Sequence, residues 1–335
     1  MEFAQLSNDE QVAGLQALAA QALQAWDIDT PRLELIKYRE NAVFAVHVAD
    51  GSRAVMRVHR PRYRSDDQIR SEFAWMEALN AAGIHTPQVL RMRHGDVLTV
   101  ARFASVPEPR QCDLMRWVDG QPPGTLEGGV TNTEESLREL YRSVGALAAR
   151  MHEHGARWDK PAGFTRPFWN VETLVGENPT FGRFWELDSL TAEQRSTLLS
   201  AQDRVRRRLE GLAGADVLIH GDLVPDNLLV EGSNVRVIDF DDCGWSWASF
   251  EMVTSLLPLQ ISGGLEAGRD GYLEGYRGIR PFPDNELEFF PDLMLARGLS
   301  YLGWPVGRPE IESVRILMPF VAAMMTEAAE RYLAG

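Results

Sequence analysis

His220-Gly221-Asp222-Leu223-Val224-Pro225-Asp226-Asn227-Leu228-Leu229-Val230 is followed by Ile238-Asp239-Phe240-Asp241-Asp242. The pattern is H-x-D-x-x-x-x-N, a hairpin, then D-F-D. Phosphoryl transfer from Mg-ATP explains this spacing. One carboxylate has to accept the proton of the incoming hydroxyl. A second carboxylate and an amide have to hold Mg2+, which bridges the phosphates and screens the charge that develops on them. A tight loop places Asp222 and Asn227 side by side, and the returning hairpin brings Asp239 to face them. The plainer reading is an acidic loop closing a hairpin, and a lone Asp-Phe-Asp would deserve it. Here the ordered identities between positions 220 and 239 sit inside the strand context the chemistry needs.

Outward from this stretch, the hairpin consists of Leu228-Leu229-Val230 and Val235-Arg236-Val237-Ile238, turned at Glu231-Gly232-Ser233-Asn234, and Val217-Leu218-Ile219 precedes the loop. Upstream, an apolar stripe of Leu137, Leu140, Tyr141, Val144, Leu147, Ala148 and Met151 predicts a long helix. An aromatic-rich irregular stretch over 158–185 and a helix over 191–212 follow it. Residues 249–333 read as mostly helical. Toward the N-terminus the pattern is strand-rich: 33–37, then 42–48 and 54–58 around an Asp50-Gly51 turn, which is a strong hairpin signal. Short strands are expected near Val89, over 97–100 and over 112–118. A helix over 66–82 ends at Gly83. A leading helix over 9–26 is broken by Thr30-Pro31. Asp119-Gly120-Gln121-Pro122-Pro123-Gly124 reads as a turn-rich linker.

At this point the chain resembles the aminoglycoside phosphotransferase/choline kinase branch of the protein-kinase-like fold, from about residue 33 to 304. Glu40-Asn41-Ala42-Val43-Phe44-Ala45-Val46 resembles that superfamily's first hairpin, and Val55-Met56-Arg57-Val58-His59-Arg60-Pro61 its third strand. The His-Arg-Pro ending and the Asp-Phe-Asp-Asp run most resemble the bacterial stress-response kinase A and homoserine kinase type II group. The resemblance implies an α+β bilobal fold, with a small antiparallel-sheet lobe carrying one main helix, a larger and mostly helical lobe, and a cleft between them. Residues 1–114 would be the nucleotide lobe, 115–124 the hinge, and 125–335 the catalytic and acceptor lobe.

The roles it implies are these. Asp222 is the catalytic base, and Asn227 and Asp239 are Mg2+ ligands. His220 shapes the catalytic loop, Asp241 is structural beside it, and Glu251 braces it. Glu72 is the acidic partner on the small lobe's helix. Met115, Arg116 and Val118 belong to the hinge whose backbone meets adenine. The loop Tyr38-Arg39-Glu40-Asn41 stands where other kinases carry G-x-G-x-x-G, so its backbone has to cradle the phosphates. Arg57 occupies a position that is often Lys. Either it contacts phosphate with a forked geometry, or it is a solvated strand residue while another group holds the phosphates. No G-x-x-x-x-G-K-[ST] occurs, which excludes a P-loop enzyme.

Among 335 residues, 48 acidic against 34 basic side chains leave a net charge of −14. That balance argues against a nucleic-acid or anionic-membrane footprint. Cys112 and Cys243 are too far apart for a zinc finger or a CxxC pair. No apolar run is long enough to span a bilayer, the start lacks a secretory signal, and a cytoplasmic protein is expected. His152 and His154, near Gly155, read as helix-end residues rather than metal ligands. Trp245 and Trp247 line a pocket or pack a core. The aromatics of 158–185 wall an acceptor site or form a subcore. Arg204, Arg206, Arg207 and Arg208 read as a solvated helix face. The expected activity is transfer of the ATP γ-phosphoryl group to a small-molecule hydroxyl. A protein Ser/Thr acceptor and a nucleotide-binding pseudokinase are the alternatives, and the intact Asp222, Asn227 and Asp239 argue against the last.

Overall fold

The computed structural model describes residues 3–28, 32–125, 128–130, 133–232, 234–308 and 312–335. The expected break at Thr30-Pro31 and Ser233 of the hairpin turn lie outside them. The chain forms two units, Met1–Asp119 with Asp159–Arg166, and Gly120–Trp158 with Pro167–Gly335. Among the described residues no helix is long and apolar enough to cross a membrane.

In the first unit α1 (Asn8–Ala22) is opened by a reciprocal cap between Ser7 and Glu10, which satisfies donors the first turn would otherwise leave bare. Five strands follow: β1 (Arg32–Tyr38), β2 (Ala42–His47), β3 (Arg53–Val58), β4 (Leu98–Phe103) and β5 (Val106–Arg116). They form one antiparallel sheet in the order β1-β2-β3-β5-β4. Gly51, at φ +87°, turns β2 into β3 as the Asp-Gly signal requires. Strand alternation sorts the side chains. Met56, Val58, Cys112 and Leu114 join Leu15, Leu18 and Ala19 of α1 in one core. Val55, Arg57, Asp113 and Met115 point to the other face, and α2 (Asp66–Ala81) supplies the Glu72 that meets Arg57 there. Val89 makes a single bridge to Met115 rather than a strand. Pro87 beside it has no N–H to extend a ladder, and β4 pairs with β5 only from Leu98 opposite Asp113. Residues 159–166 belong to this unit. Thr165 N–H donates to Ser71 Oγ at 2.9 Å and Arg166 to the Gln68 carbonyl at 2.8 Å.

The second unit is mostly helical: α3 (Glu134–Arg157), α4 (Val171–Val175), α5 (Ala192–Leu209), α6 (Ala248–Leu256), α7 (Leu259–Ser262), α8 (Leu265–Arg277), α9 (Phe290–Gly303) and α10 (Glu312–Ala334). Two small sheets carry the loops of interest. β6 (Val217–Ile219) pairs with β9 (Gly244–Ser246), and β7 (Leu228–Glu231) pairs with β8 (Asn234–Val237). α3 and α8 cross closely. A Cβ at Gly145 would overlap the Tyr272 carbonyl oxygen, so the glycine brings Tyr276 of α8 within reach of α3.

Several expectations are corrected here. His152 is not a helix-end residue: α3 runs on to Arg157, and His152 is fully buried with its Nδ1 3.0 Å from the Tyr276 hydroxyl. His154 stacks on Trp158. The arginines of α5 do not all lie on one solvated face. Arg204 donates to the Tyr332 and Leu333 carbonyls at the end of α10, and Arg208 pairs with buried Asp292. Arg206, Arg207 and Arg208 are exposed, as expected, Arg206 paired with Glu210 at the helix C-cap and Arg207 with Asp203, so that only Arg204 leaves the expected solvated face. Within 158–185, α4 interrupts the irregular run. Trp169, Phe181 and Phe184 join the core, as does Trp247. Phe168 remains half exposed, stacked against Trp245.

Candidate active site

In the first unit, Arg57 and Asp113 are directly opposite each other across β3 and β5, so their side chains emerge together from one face. The guanidinium binds Asp113 along one edge through two nitrogens, Nε to Oδ1 at 3.0 Å and Nη2 to Oδ2 at 3.0 Å. Its Nη1 reaches Glu72 Oε1 at 2.8 Å. His59, two residues along the same strand face, places Nε2 at 2.5 Å from Asp113 Oδ2. Arg166 lies 3.9 Å from Glu72 Oε2. All five groups are buried. Burial pushes the Asp113 carboxyl upward, but Arg57 and His59 outweigh it and hold the group below its ordinary value. Arg57 is therefore not a solvated strand residue. Asn41 is buried and its Oδ1 accepts from the Arg60 N–H at 3.2 Å. Met115 shares the face of Arg57. Arg116 lies on the other face, exposed, donating to Gln88 Oε1 at 3.0 Å. Val118 is half-buried past the end of β5.

In the second unit, β6 delivers the chain into a loop shaped by Glu251 of α6. One Glu251 oxygen accepts the His220 N–H and the other the Gly221 N–H. Burial pushes the Glu251 carboxyl up, while His152 at 3.5 Å and His220 hold it below its ordinary value. Gly221 turns at φ +81°, and a Cβ there would overlap the Asp242 carbonyl oxygen. The His220 ring accepts the Asp222 N–H on Nδ1 at 3.2 Å and faces the Ile238 carbonyl with Nε2 at 3.1 Å. An accepting Nδ1 requires the proton on Nε2, and burial lowers the ring's pKa in keeping with that neutral form. Phe240 packs edge-on to this ring.

Asp222 is thereby presented at the loop's tip. Its Oδ2 accepts from Asn227 Nδ2 at 2.8 Å, and its Oδ1 from Arg297 Nη2 at 3.0 Å. Ile238 N–H donates to the Asn227 carbonyl at 2.9 Å, tying the strand that leads to Asp239 onto the segment carrying Asn227. Asp239 holds a left-handed backbone at φ +65°. This is uncommon outside glycine and is concentrated at functional sites, and aspartate tolerates it better than most residues. Asp241 is buried two residues on. Only Asp241, Asp242 and Cys243 separate Phe240 from β9.

The donor set suits Mg2+. Among the described residues no three His, Cys, Asp or Glu side chains form a cage. Mg2+ does not need one, because it commonly takes one or two carboxylates with water and substrate phosphates completing its shell. Asn227 and Asp239 carry side-chain oxygens of the kind that could hold it.

The residues missed from sequence are Asp113, His59, Arg166, His152, Arg297 and Tyr301. Two carried a signal. Asp113 is a lone charge in Cys112-Asp113-Leu114-Met115, and Arg297 is one in Leu293-Met294-Leu295-Ala296-Arg297-Gly298-Leu299.

A five-stranded antiparallel unit and a helical unit whose loop carries His220, Asp222, Asn227 and Asp239 define a protein-kinase-like phosphotransferase. The chain belongs to the phosphotransferase enzyme family, whose model matches residues 33–283, and it is a kinase. The homoserine kinase of Rhizobium rhizogenes is 25% identical over 284 residues, which cover 78% of this chain and 75% of that one. The solved structure of a microcompartment-associated aminopropanol kinase superposes with a TM-score of 0.83 at 30% identity, covering 95% of this chain and 98% of the other. An amicoumacin kinase solved with AMP-PNP and Ca2+ gives 0.72 at 17% identity over 93% of each chain, a likeness of fold.

Proposed function

We propose that this kinase transfers the γ-phosphoryl group of ATP, with Mg2+, to a hydroxyl of a small molecule of the amino-alcohol, homoserine or aminoglycoside class. The observation that carries the reading is the Asp222 carboxylate, fixed on both oxygens by Asn227 and Arg297, beside Asp239 in its left-handed conformation. Asp222 accepts the proton of the attacking hydroxyl. Asn227 and Asp239 hold Mg2+, which when bound screens the phosphate charge. His220 and Glu251 hold the loop, and Asp241 supports it. Residues 1–114 bind the nucleotide, with the Asn41 loop over the phosphates, Arg57 and Glu72 as the lobe's ion pair, and the backbone of Met115, Arg116 and Val118 on adenine. Residues 115–124 are the hinge, and 125–335 carry catalysis and the acceptor.

The acceptor class is supported by the names of the aminopropanol and homoserine kinases, whose substrates both carry an amine and a hydroxyl. The short Asp241-Asp242-Cys243 connection leaves no room for an extended peptide-positioning segment, which favours a small metabolite over a protein. An ADP-release screen across amino alcohols, sugars, aminoglycosides and generic proteins tests this. The expected result is saturable, Asp222-dependent turnover of a small alcohol in the presence of Mg2+. Asp222-dependent labelling of a protein Ser or Thr, with no active metabolite, would replace the reading with a protein kinase.

A further inference from the structure

Arg297 is unlike the other buried arginines of this chain. It sits in the middle of α9, a helix otherwise apolar at this point, and is 3% exposed. Its guanidinium carbon lies 4.6 Å from the Tyr301 ring centroid, 5.5 Å from that of Phe181 and 5.8 Å from that of Phe250. These rings come from three separate segments and close around the cation, which stabilises it as an arene face stabilises any desolvated cation. Nη2 spends its hydrogen bonds on Asp222 Oδ1 at 3.0 Å, the Gly221 carbonyl at 3.5 Å and the Tyr301 hydroxyl at 3.3 Å. Nε is buried without an acceptor. Asp222 is in ion-pair contact with Arg297, and the Asp242 carboxylate also stabilises its charge.

Burying a guanidinium is expensive unless its charge is compensated. A residue placed only to stabilise α9 would do better as Leu or Met among those rings. The arrangement makes sense if the charge is there for Asp222. Two donors approach that carboxylate from different segments, Asn227 on Oδ2 and Arg297 on Oδ1, so it cannot rotate about its last torsion without losing both.

We propose that Arg297 is a positioning residue for the phosphoryl transfer. Held rigidly in an aromatic ring, it pins the plane of the Asp222 carboxylate so that the oxygen not occupied by Arg297 keeps its aim at the acceptor hydroxyl. The proposal rests on the reading of Asp222 as the base. Because it acts through Asp222, loss of Arg297 should lower turnover rather than binding.

The test measures kcat and KM for ATP and acceptor in wild type, Asp222→Asn, Arg297→Met, Arg297→Lys and the double variant Asp222→Asn/Arg297→Met. Misaiming a reacting group by about an ångström costs on the order of 10²-fold. Arg297→Met is therefore expected to lower kcat by about that factor with the ATP KM within about twofold of wild type. Arg297→Lys keeps a charge but lacks the planar fork, and should fall between methionine and wild type. The double variant should be no slower than Asp222→Asn alone, because a positioning residue has nothing left to position. If Arg297→Met does not fold, Arg297→Lys carries the test, with kcat at least about fivefold down at unchanged ATP KM. Wild-type kcat in a folded Arg297 variant, or a loss confined to KM, overturns the proposal and leaves Asp222 as the base. Wild-type kcat in Asp222→Asn overturns the reading beneath it.

Discussion

Each unit buries an arginine that pairs closely with carboxylate, Arg57 in the first and Arg297 in the second, and the two are used in opposite ways. Arg57 meets Asp113 through two nitrogens of one edge and Glu72 through its third nitrogen, and both carboxylates are fully buried. Its charge is consumed by the framework that joins β3, β5 and α2. Arg297 pairs with the carboxylate of Asp222, whose side chain is 27% exposed, with the Asp242 charge also acting on it, and aromatic rings close around the guanidinium. The first arrangement is closed and its disruption should appear as lost stability. The second is open at one end and its disruption should appear as lost turnover. A buried ion pair is in general weak support for stability, but removing one partner leaves an uncompensated charge at a cost of about 3–5 kcal/mol.

The largest expected effect lies at the open end. Asp222→Asn keeps the size of the side chain and an oxygen for Arg297 while removing the base, so kcat should fall by about 10²–10⁴-fold with little change in Tm. A variant with near wild-type turnover on its true acceptor would erase the distinction between the two arginines.

At the closed end, Asp113→Ala should lower the free energy of unfolding by about 3–5 kcal/mol, read from the urea midpoint. Arg57 and His59 both lose their shared acceptor there. An unchanged midpoint would mean that the cluster is not the framework described here. Arg57→Lys is a milder version. An ammonium is a point charge that cannot match two carboxylates with a fork, and one lost charge-assisted hydrogen bond is worth about 1.5–3 kcal/mol. A lower Tm and a higher ATP KM are expected together. If only the KM moves, Arg57 acts on nucleotide alone.

How legible each region was follows from chain distance. The arrangement of the loop was readable because His220, Asp222, Asn227 and Asp239 are close in sequence, and Asp222 and Asn227 do stand side by side. The Asp50-Gly51 turn and the end of α2 at Gly83 were readable for the same local reason. The partners that complete each arginine come from far away. Asp113 joins Arg57 only through the β3–β5 register, and Arg297 joins Asp222 only once α9 has packed beneath the loop. No local pattern encodes either pairing, although a lone charge inside an apolar run marks both. His152 shows the opposite error. Nearby Gly155 looked like a helix end, yet His152 lies four residues beyond Ala148 on the apolar stripe, and that periodicity was the better guide.

The smallest effect concerns the hydrogen bonds that hold the open site's loop. His220 is buried and its pKa is lowered, first by burial, with the charges of Glu251 and Asp239 opposing this only in part. The unfolded chain therefore takes up a proton near pH 6.5 that the folded chain does not. The stability contributed by neutral His220 is fully present above that pH and is lost as the pH falls toward the ring's lower folded value. One proton gives a slope of at most about 1.4 kcal/mol per pH unit. Glu251, held below its ordinary value, adds a separate loss at lower pH, below the usual carboxylate range. His220→Asn offers a donor and an acceptor without titrating. Its Tm is expected to fall less steeply than that of wild type between pH 7 and 5.5. Parallel curves over the whole range would show that His220 takes up its proton as readily in the folded loop as in the unfolded chain, which overturns the neutral, accepting Nδ1.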